Sequence, residues 1–268
     1  MDFGRYGAWR RASEWTPDDA AAIEEMGYGA IWVGGSPPAD LEDVEAIIAA
    51  TRAVPVATGV VNMWRANPEE VARSYHRIEE AHPGRFYLGL GIGHPEATDE
   101  YRKPYDTIVA YLDRVEAAGV PGDRIILAAL GPRVLRLAAE RTAGAHPYFT
   151  TPRHTRMARE IMGPDALLAP EHKVVLAPDS WEELAPPNVS RYLRLTNYRA
   201  SLLREGWDES DLEGSERLMQ AIVLHGDARS VAGSLAEHLE AGANHVCVQV
   251  LGSNPLVGYS ELASVLFG

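Results

Sequence analysis

The sequence contains a single cysteine, Cys247, so no internal disulfide can form and no cysteine cluster is on hand for zinc or iron–sulfur chemistry. No spacing of His, Asp and Glu makes a metal site, and redox chemistry, if present, needs a borrowed organic cofactor. The first residues, Met1-Asp2-Phe3-Gly4-Arg5-Tyr6, lack the apolar run of a signal peptide, and no stretch reaches the roughly 18 apolar residues of a membrane span. A cytoplasmic protein with no membrane role is the expectation. Positive charge is scarce: 25 Lys and Arg stand against 38 Asp and Glu, a formal charge of -13. The acids are spread along the chain, which argues against a nucleic-acid partner. Short repeats, low-complexity tracts and long Ser/Gly linkers are absent as well. With 268 residues the chain reads as one domain, 1–268, near the roughly 250 residues of an α/β barrel.

What is present is a regular alternation of short apolar runs with longer amphipathic stretches, the pattern of βα units around a parallel sheet. Eight candidate strands lie near Arg5–Trp9, Ala30–Val33, Val56–Val60, Phe86–Gly91, Ile125–Ala129, Ala145–Tyr148, Lys173–Leu176 and His245–Val250. They predict an α/β fold, a (β/α)8 TIM barrel. A long stretch between the seventh and eighth strands, with helical patterning around Arg191–Glu205, Glu216–Leu224 and Ala228–Ala241, predicts a helical insertion there. Pro186-Pro187 reads as a turn ahead of a helix. Thr16-Pro17-Asp18-Asp19 and Asn67-Pro68-Glu69-Glu70 are helix starts, each with a polar cap, proline and acids in the first turn. Val71, Tyr75 and Ile78 then recur at helical spacing as a core face.

In such a barrel the site is built at the C-terminal ends of the strands. That rule selects Gly34-Gly35-Ser36, Gly59 to Trp64, Gly91-Ile92-Gly93-His94-Pro95, Leu130 to Arg133 and His146 to Thr151. Gly89-Leu90-Gly91-Ile92-Gly93 matches a dinucleotide fingerprint poorly, because the third glycine is displaced and His94-Pro95-Glu96 interrupts entry into a helix. Its glycines serve either a tight turn or a flat cofactor ring. Two helix starts, Gly131-Pro132-Arg133 and Thr151-Pro152-Arg153, carry basic residues where the others carry acids. Free N–H groups and a positive dipole end there suit an external phosphate, although surface pairing of Arg133, Arg153 and Arg156 is the plainer alternative. His94, polar and titratable near neutrality at the mouth, is the candidate acid or base, against a plain loop hydrogen bond. His146 lies nearer the anion site, whereas His245 and Cys247 read as structural.

In their order along the chain, the segments Glu25–Val33, Ala57–Asn62, Arg85–Gly93, Leu130–Leu135, Ala139–Pro147 and His245–Leu251 resemble the luciferase-like monooxygenase superfamily, particularly its F420-dependent branch. The resemblance covers nearly the whole chain. It implies a hydride-transferring oxidoreductase using the deazaflavin coenzyme F420, with FMN and monooxygenation as the alternative. A non-catalytic deazaflavin-binding protein is the alternative of another class. The resemblance further implies a non-prolyl cis peptide at Gly59-Val60 behind the cofactor ring, with Val61, Asn62, Gly91 and Gly93 near the ring. The cofactor phosphate would lie toward Gly131, Arg133, Gly144, His146, Thr151 and Arg153. Relatives acting on glucose 6-phosphate carry His and Glu where this chain has Ser36 and His94, which argues against that substrate and makes His94, aided by Asn62, the catalytic candidate. Trp9, Ser36 and Trp64 would border a small-molecule substrate, and a homodimer is expected by analogy with related barrels.

Overall fold

The computed structural model describes residues 2–97 and 103–268. In chain order its elements are β1 (Tyr6–Arg11), α1 (Pro17–Glu25), β2 (Ile31–Gly34), α2 (Glu42–Ala49), β3 (Val56–Gly59), β4 (Val61–Asn62), α3 (Pro68–Ala81), β5 (Phe86–Gly91), α4 (Pro104–Ala117), β6 (Ile125–Leu127) and α5 (Pro132–Arg141). There follow β7 (Gly144–Ala145), α6 (Pro152–Met162), β8 (Leu167–Leu168), β9 (Glu171–Leu176), α7 (Trp181–Leu193), α8 (Thr196–Glu205), α9 (Glu216–Ile222), β10 (Val223–Gly226), α10 (Ala228–Glu240), β11 (Val246–Leu251) and α11 (Pro255–Leu266).

Every strand pair is parallel, in the order β10-β9-β11-β1-β2-β3-β5-β6-β7-β8, with β4 on β5. The ring closes because β8 and β9 are consecutive: Leu168 pairs with Ala145 of β7, and Glu171 with Cys247 of β11. All eight strands expected from the sequence are present in the barrel wall. The alternation of side chains across a strand then sorts the core into two layers. Ile31 and Val33 face outward into the main cluster with Ile23, Val44 and Val71, while Ala30 and Trp32 face inward with Phe3, Trp9, Tyr87 and Cys247. The inner wall of β5 is glycine for a steric reason. A Cβ on Gly89 would strike the Thr58 carbonyl, and Thr58 Oγ1 donates to Gly89 O and accepts from Gly89 N at 2.8 Å each. Gly89 and Gly91 of the fingerprint-like run are thus strand residues, and Gly93 follows in the loop with φ 69°.

The helix starts behave as their caps dictate. Thr16 accepts from Asp19 N, and Asn67 from Glu69 N and Glu70 N. By contrast, α5 and α6 begin after Gly131 and Thr151 with no side-chain cap and no acid in the first turn.

Three details differ from the sequence reading. Pro186 and Pro187 lie inside α7 rather than ahead of a helix. The interior prolines cost backbone bonds, but Ala185, Val189 and Leu193 are buried, Trp181 Nε1 donates to Val223 O at 2.8 Å, and Asn188 Nδ2 supplies a bond to the Leu184 carbonyl at 2.9 Å. The helical patterning expected over Arg191–Glu205 is split at Arg194-Leu195, and Val223-Leu224 leave the helix to pair with Lys173-Val174. No helix among the described residues is long and apolar enough to cross a membrane.

Candidate active site at the C-terminal mouth

At the C-terminal ends of β3 to β7 the otherwise sealed barrel wall keeps solvent contact at Gly59, Val60, Asn62, Gly93, Ala128 and Tyr148. These positions outline a cleft whose β3–β5 side is glycine-rich, with the side chains of Trp9, Val60 and Asn62 packed close to Gly59, Gly91 and Gly93. The Gly59-Val60 peptide is cis, as the resemblance implied. Val61 and Asn62 then continue as β4, paired with Leu90 and Gly91. Val60 leans over Gly91, where a Cβ would collide with it.

The polar rim is formed by two residues. Asn62 Oδ1 accepts from Trp64 N at 2.9 Å, which fixes the amide and turns Nδ2 toward Gly93, where a Cβ would lie 2.9 Å from it. His94 is half-buried, its ring 4.9 Å from that of Tyr198. Burial pushes its pKa below the ordinary histidine value, against the opposing pull of Glu96. The ring is neutral near pH 7. Asn197 Nδ2 lies 3.4 Å from His94 Nδ1 and donates to Gly93 O at 3.2 Å. With Nδ1 accepting, the proton of the neutral ring is held on Nε2.

Helix α8 closes over this rim. Its first residue, Thr196, donates through N (2.8 Å) and Oγ1 to Glu96. Beneath it, Tyr148, Phe149, Tyr192 and Tyr198 form an aromatic cluster around Lys173, whose ammonium lies 3.9 Å from the Tyr148 ring centre. Lys173 Nζ also donates to both Glu171 oxygens at 2.9 and 3.0 Å, with each side chain 1% exposed. Burial pushes the Glu171 pKa up, and Lys173 works against that rise. The sequence reading missed this pair, although Glu171 and Lys173 stand two apart and therefore share one face of a strand.

The candidate residues are not all brought together. Trp9 is 3% exposed and lies flat over Gly34 and Gly59, inside the barrel rather than at a substrate border. His146, 1% exposed, stacks on Trp32 with ring centres 4.4 Å apart. Gly144 stands at the opposite end of the barrel, where the Leu167 carbonyl fills its Cβ position. A pocket of about 300 Å³ at that same N-terminal end is bordered by Asp2, Asp123, Asp165 and Asn244. Ser36 sits on an exposed turn with φ 59°, and Trp64 is half-buried beside Asn62. Arg133 is exposed, its guanidinium carbon 3.5 Å from the Tyr105 ring centre.

At the start of α6 the chain brings up a carboxylate of its own. Thr151 Oγ1 donates to Glu205 Oε2 at 2.6 Å, and burial pushes the Glu205 pKa up to about 7. Arg153 lies on Gly206, and Arg204 reaches toward Gly131, its Nη2 3.9 Å from the Cβ position there. Thr150 Oγ1 is buried without a partner at the same place.

The flat ring that the resemblance implies fits these residues on two observations. Gly59 and Gly93, which carry no side chain of their own, keep solvent contact at the mouth, and two buried ring nitrogens, Trp9 Nε1 and His146 Nε2, stand without partners beside Gly59.

A parallel eight-stranded barrel with its polar cleft at the C-terminal ends of the strands defines a (β/α)8 barrel of enzyme type. Residues 8–118, from β1 through α4, match the family model of the luciferase-like monooxygenases, which bears out over that segment the resemblance read from the sequence. Similar solved structures include an F420-dependent secondary alcohol dehydrogenase in complex with an F420–acetone adduct (TM-score 0.72, 16% identity, 99% of this chain and 98% of that one). A second is the coenzyme F420-dependent tetrahydromethanopterin reductase of Methanopyrus kandleri (TM-score 0.70, 14% identity, 98% of each chain). A third is the oxygenating constituent of 3,6-diketocamphane monooxygenase from Pseudomonas putida, in complex with FMN (TM-score 0.70, 15% identity, 98% of this chain and 97% of that one). At these identities the likeness is one of fold. Comparison with curated proteins finds no match.

Proposed function

We propose that the chain is an oxidoreductase that binds coenzyme F420 in the C-terminal cleft and moves hydride between it and a small carbonyl, alcohol or activated alkene. The observation that carries this reading is the solvent contact kept at Gly59, Val60 and Gly93 at the barrel mouth with His94 and Asn62 on its rim, all within the segment that matches the luciferase-like model. Two of the similar structures are F420-dependent enzymes, which supports the deazaflavin, and a third holds FMN, which keeps the flavin as the second reading.

The bound cofactor would supply the hydride or electron-pair chemistry that no side chain here can. Gly59, Val60, Gly91 and Gly93 would hold the ring flat. His94, neutral and carrying its proton on Nε2, hydrogen-bonds the reacting oxygen of the substrate. Asn62 Nδ2 is a second donor on the same rim, aimed by the bond from Trp64 N. Helix α8 and the aromatic cluster beneath it shield the cleft from water, which strengthens every polar contact made there. The uncapped starts of α5 and α6, with Arg153 and Arg204 beside them, suit a cofactor phosphate. At α6 that phosphate would share the helix end with Glu205.

Fluorescence titration of the purified protein with F420 and FMN in parallel tests this reading. Micromolar or tighter binding of F420 is expected. Binding of FMN alone would move the assignment to a flavin enzyme, and binding of neither would remove the redox assignment.

A further inference from the structure

Buried donors and acceptors are nearly always paired, so two unpaired ones converging on one point demand a partner. Trp9 Nε1 and His146 Nε2 are such a pair. Their side chains are 3% and 1% exposed, and neither nitrogen has a hydrogen-bond partner. Both stand at Gly59, whose Cβ position is 2.7 Å from the first nitrogen and 3.2 Å from the second. Gly59 itself keeps solvent contact, so the convergence lies at the floor of the cleft.

The two nitrogens are complementary in kind. An indole N–H only donates. His146 Nδ1 lies 2.8 Å from Ala169 O, a carbonyl that can only accept, so Nδ1 carries the proton and Nε2 of the neutral ring is an acceptor. Burial keeps His146 neutral, its pKa pushed down to about 4. The ring cannot turn to find another partner: it is stacked on Trp32, whose own Nε1 donates to His245 Nε2 at 3.0 Å. Trp9 is likewise confined, flat against the two glycines Gly34 and Gly59. A donor beside an acceptor matches a lactam edge, where a carbonyl and an N–H are neighbours. Flavins and deazaflavins both carry that edge on the dione half of the ring.

We infer that Trp9 and His146 are the residues that recognise the dione edge of the cofactor ring, Trp9 Nε1–H donating to a ring carbonyl and the adjacent ring N–H donating to His146 Nε2. The inference rests on the cofactor reading above and adds which end of the ring enters the barrel: the dione goes inward beside Gly59, leaving the reacting centre toward His94.

The test uses the full-length protein and its Trp9→Phe variant, which keeps an aromatic plate over the glycines but has no N–H. Affinity for F420 and FMN is measured by fluorescence titration, and the carbonyl stretches of the bound ring by Raman difference spectroscopy. The expected result is about tenfold weaker binding in the variant, the scale of one neutral hydrogen bond, together with a carbonyl band shifted to higher wavenumber. Equal affinity with an unshifted band overturns the inference while leaving the cofactor reading intact, and so does weaker binding with an unshifted band, which would mark Trp9 as packing alone. Failure of the wild-type protein to bind either cofactor overturns both. If Trp9→Phe does not fold, His146→Phe replaces it. That variant keeps the stack on Trp32 and removes the acceptor, and the same two readouts apply.

Discussion

Burial outweighs the pull of Glu96 at His94, so the ring is neutral at pH 7 and its remaining proton is held at Nε2. Removing that donor with His94→Ala should lower turnover by about 10²-fold or more while cofactor affinity changes little. Equal loss of both would make His94 a binding residue. The ring should titrate below 6.5 in an NMR pH series, and Glu96→Gln should move the midpoint lower still, because Glu96 is the group that raises it. The buried Glu171–Lys173 pair is the other residue-scale test. Lys173→Met leaves a carboxylate unpaired in the barrel and should cost about 3–5 kcal/mol in urea unfolding. Glu171→Gln added to that variant should recover part of the loss, since it removes the stranded charge. His94 was legible in the sequence because it follows an apolar strand. Glu171 and Lys173 were not, because a charged pair is expected outside a core until its mutual satisfaction is seen. Trp9 and His146 were both picked out, but as a pocket wall and a phosphate neighbour; what they share is a spot beside Gly59 reached from two strands far apart in the chain.

At the scale of elements, local chemistry settles how helices begin, and burial settles how they continue. The Thr16 and Asn67 caps and the core face Val71, Tyr75 and Ile78 could be read directly, since each depends on neighbours within one turn. The course of α7 through Pro186 and Pro187 could not, because the packing that outweighs two interior prolines comes from β10, far along the chain. The same distinction governs β3 and β5. Gly89 reads as part of a nucleotide fingerprint only until its partner strand is placed against it. Gly89→Ala should push the Thr58 carbonyl off β5 and destabilise the protein by about 1–3 kcal/mol, read as a lower urea midpoint, whereas Gly233→Ala in α10, where a Cβ meets nothing within 4 Å, should raise it slightly by improving helix propensity.

Across the whole molecule, six histidines are held below their ordinary pKa by burial: His94, His146, His154, His172, His238 and His245. Their protonation is suppressed in the folded state, so the unfolded chain binds more protons once the pH drops below about 6.5. The stability they lend near neutrality is lost as the pH falls toward about 4 for His146 and His245 and about 3 for His238. Glu171 and Glu205, raised by burial, act in the opposite direction, but two carboxylates do not offset six imidazoles. Unfolding free energy should therefore drop between pH 7 and pH 5, as urea titrations at each pH will show. A flat profile would mean that these histidines are not buried neutral. Barrel class and the eight strands were legible from periodicity and composition, because they depend on a pattern repeated eight times. Which end of the chain's cavities a cofactor enters depends on the mouth alone. A crystal structure of the protein with F420 bound measures that most directly. The dione edge should lie beside Gly59 with the ring against Val60, Gly91 and Gly93 and its reacting face toward His94; a cofactor seated instead in the acidic pocket at the N-terminal end of the barrel would contradict the account.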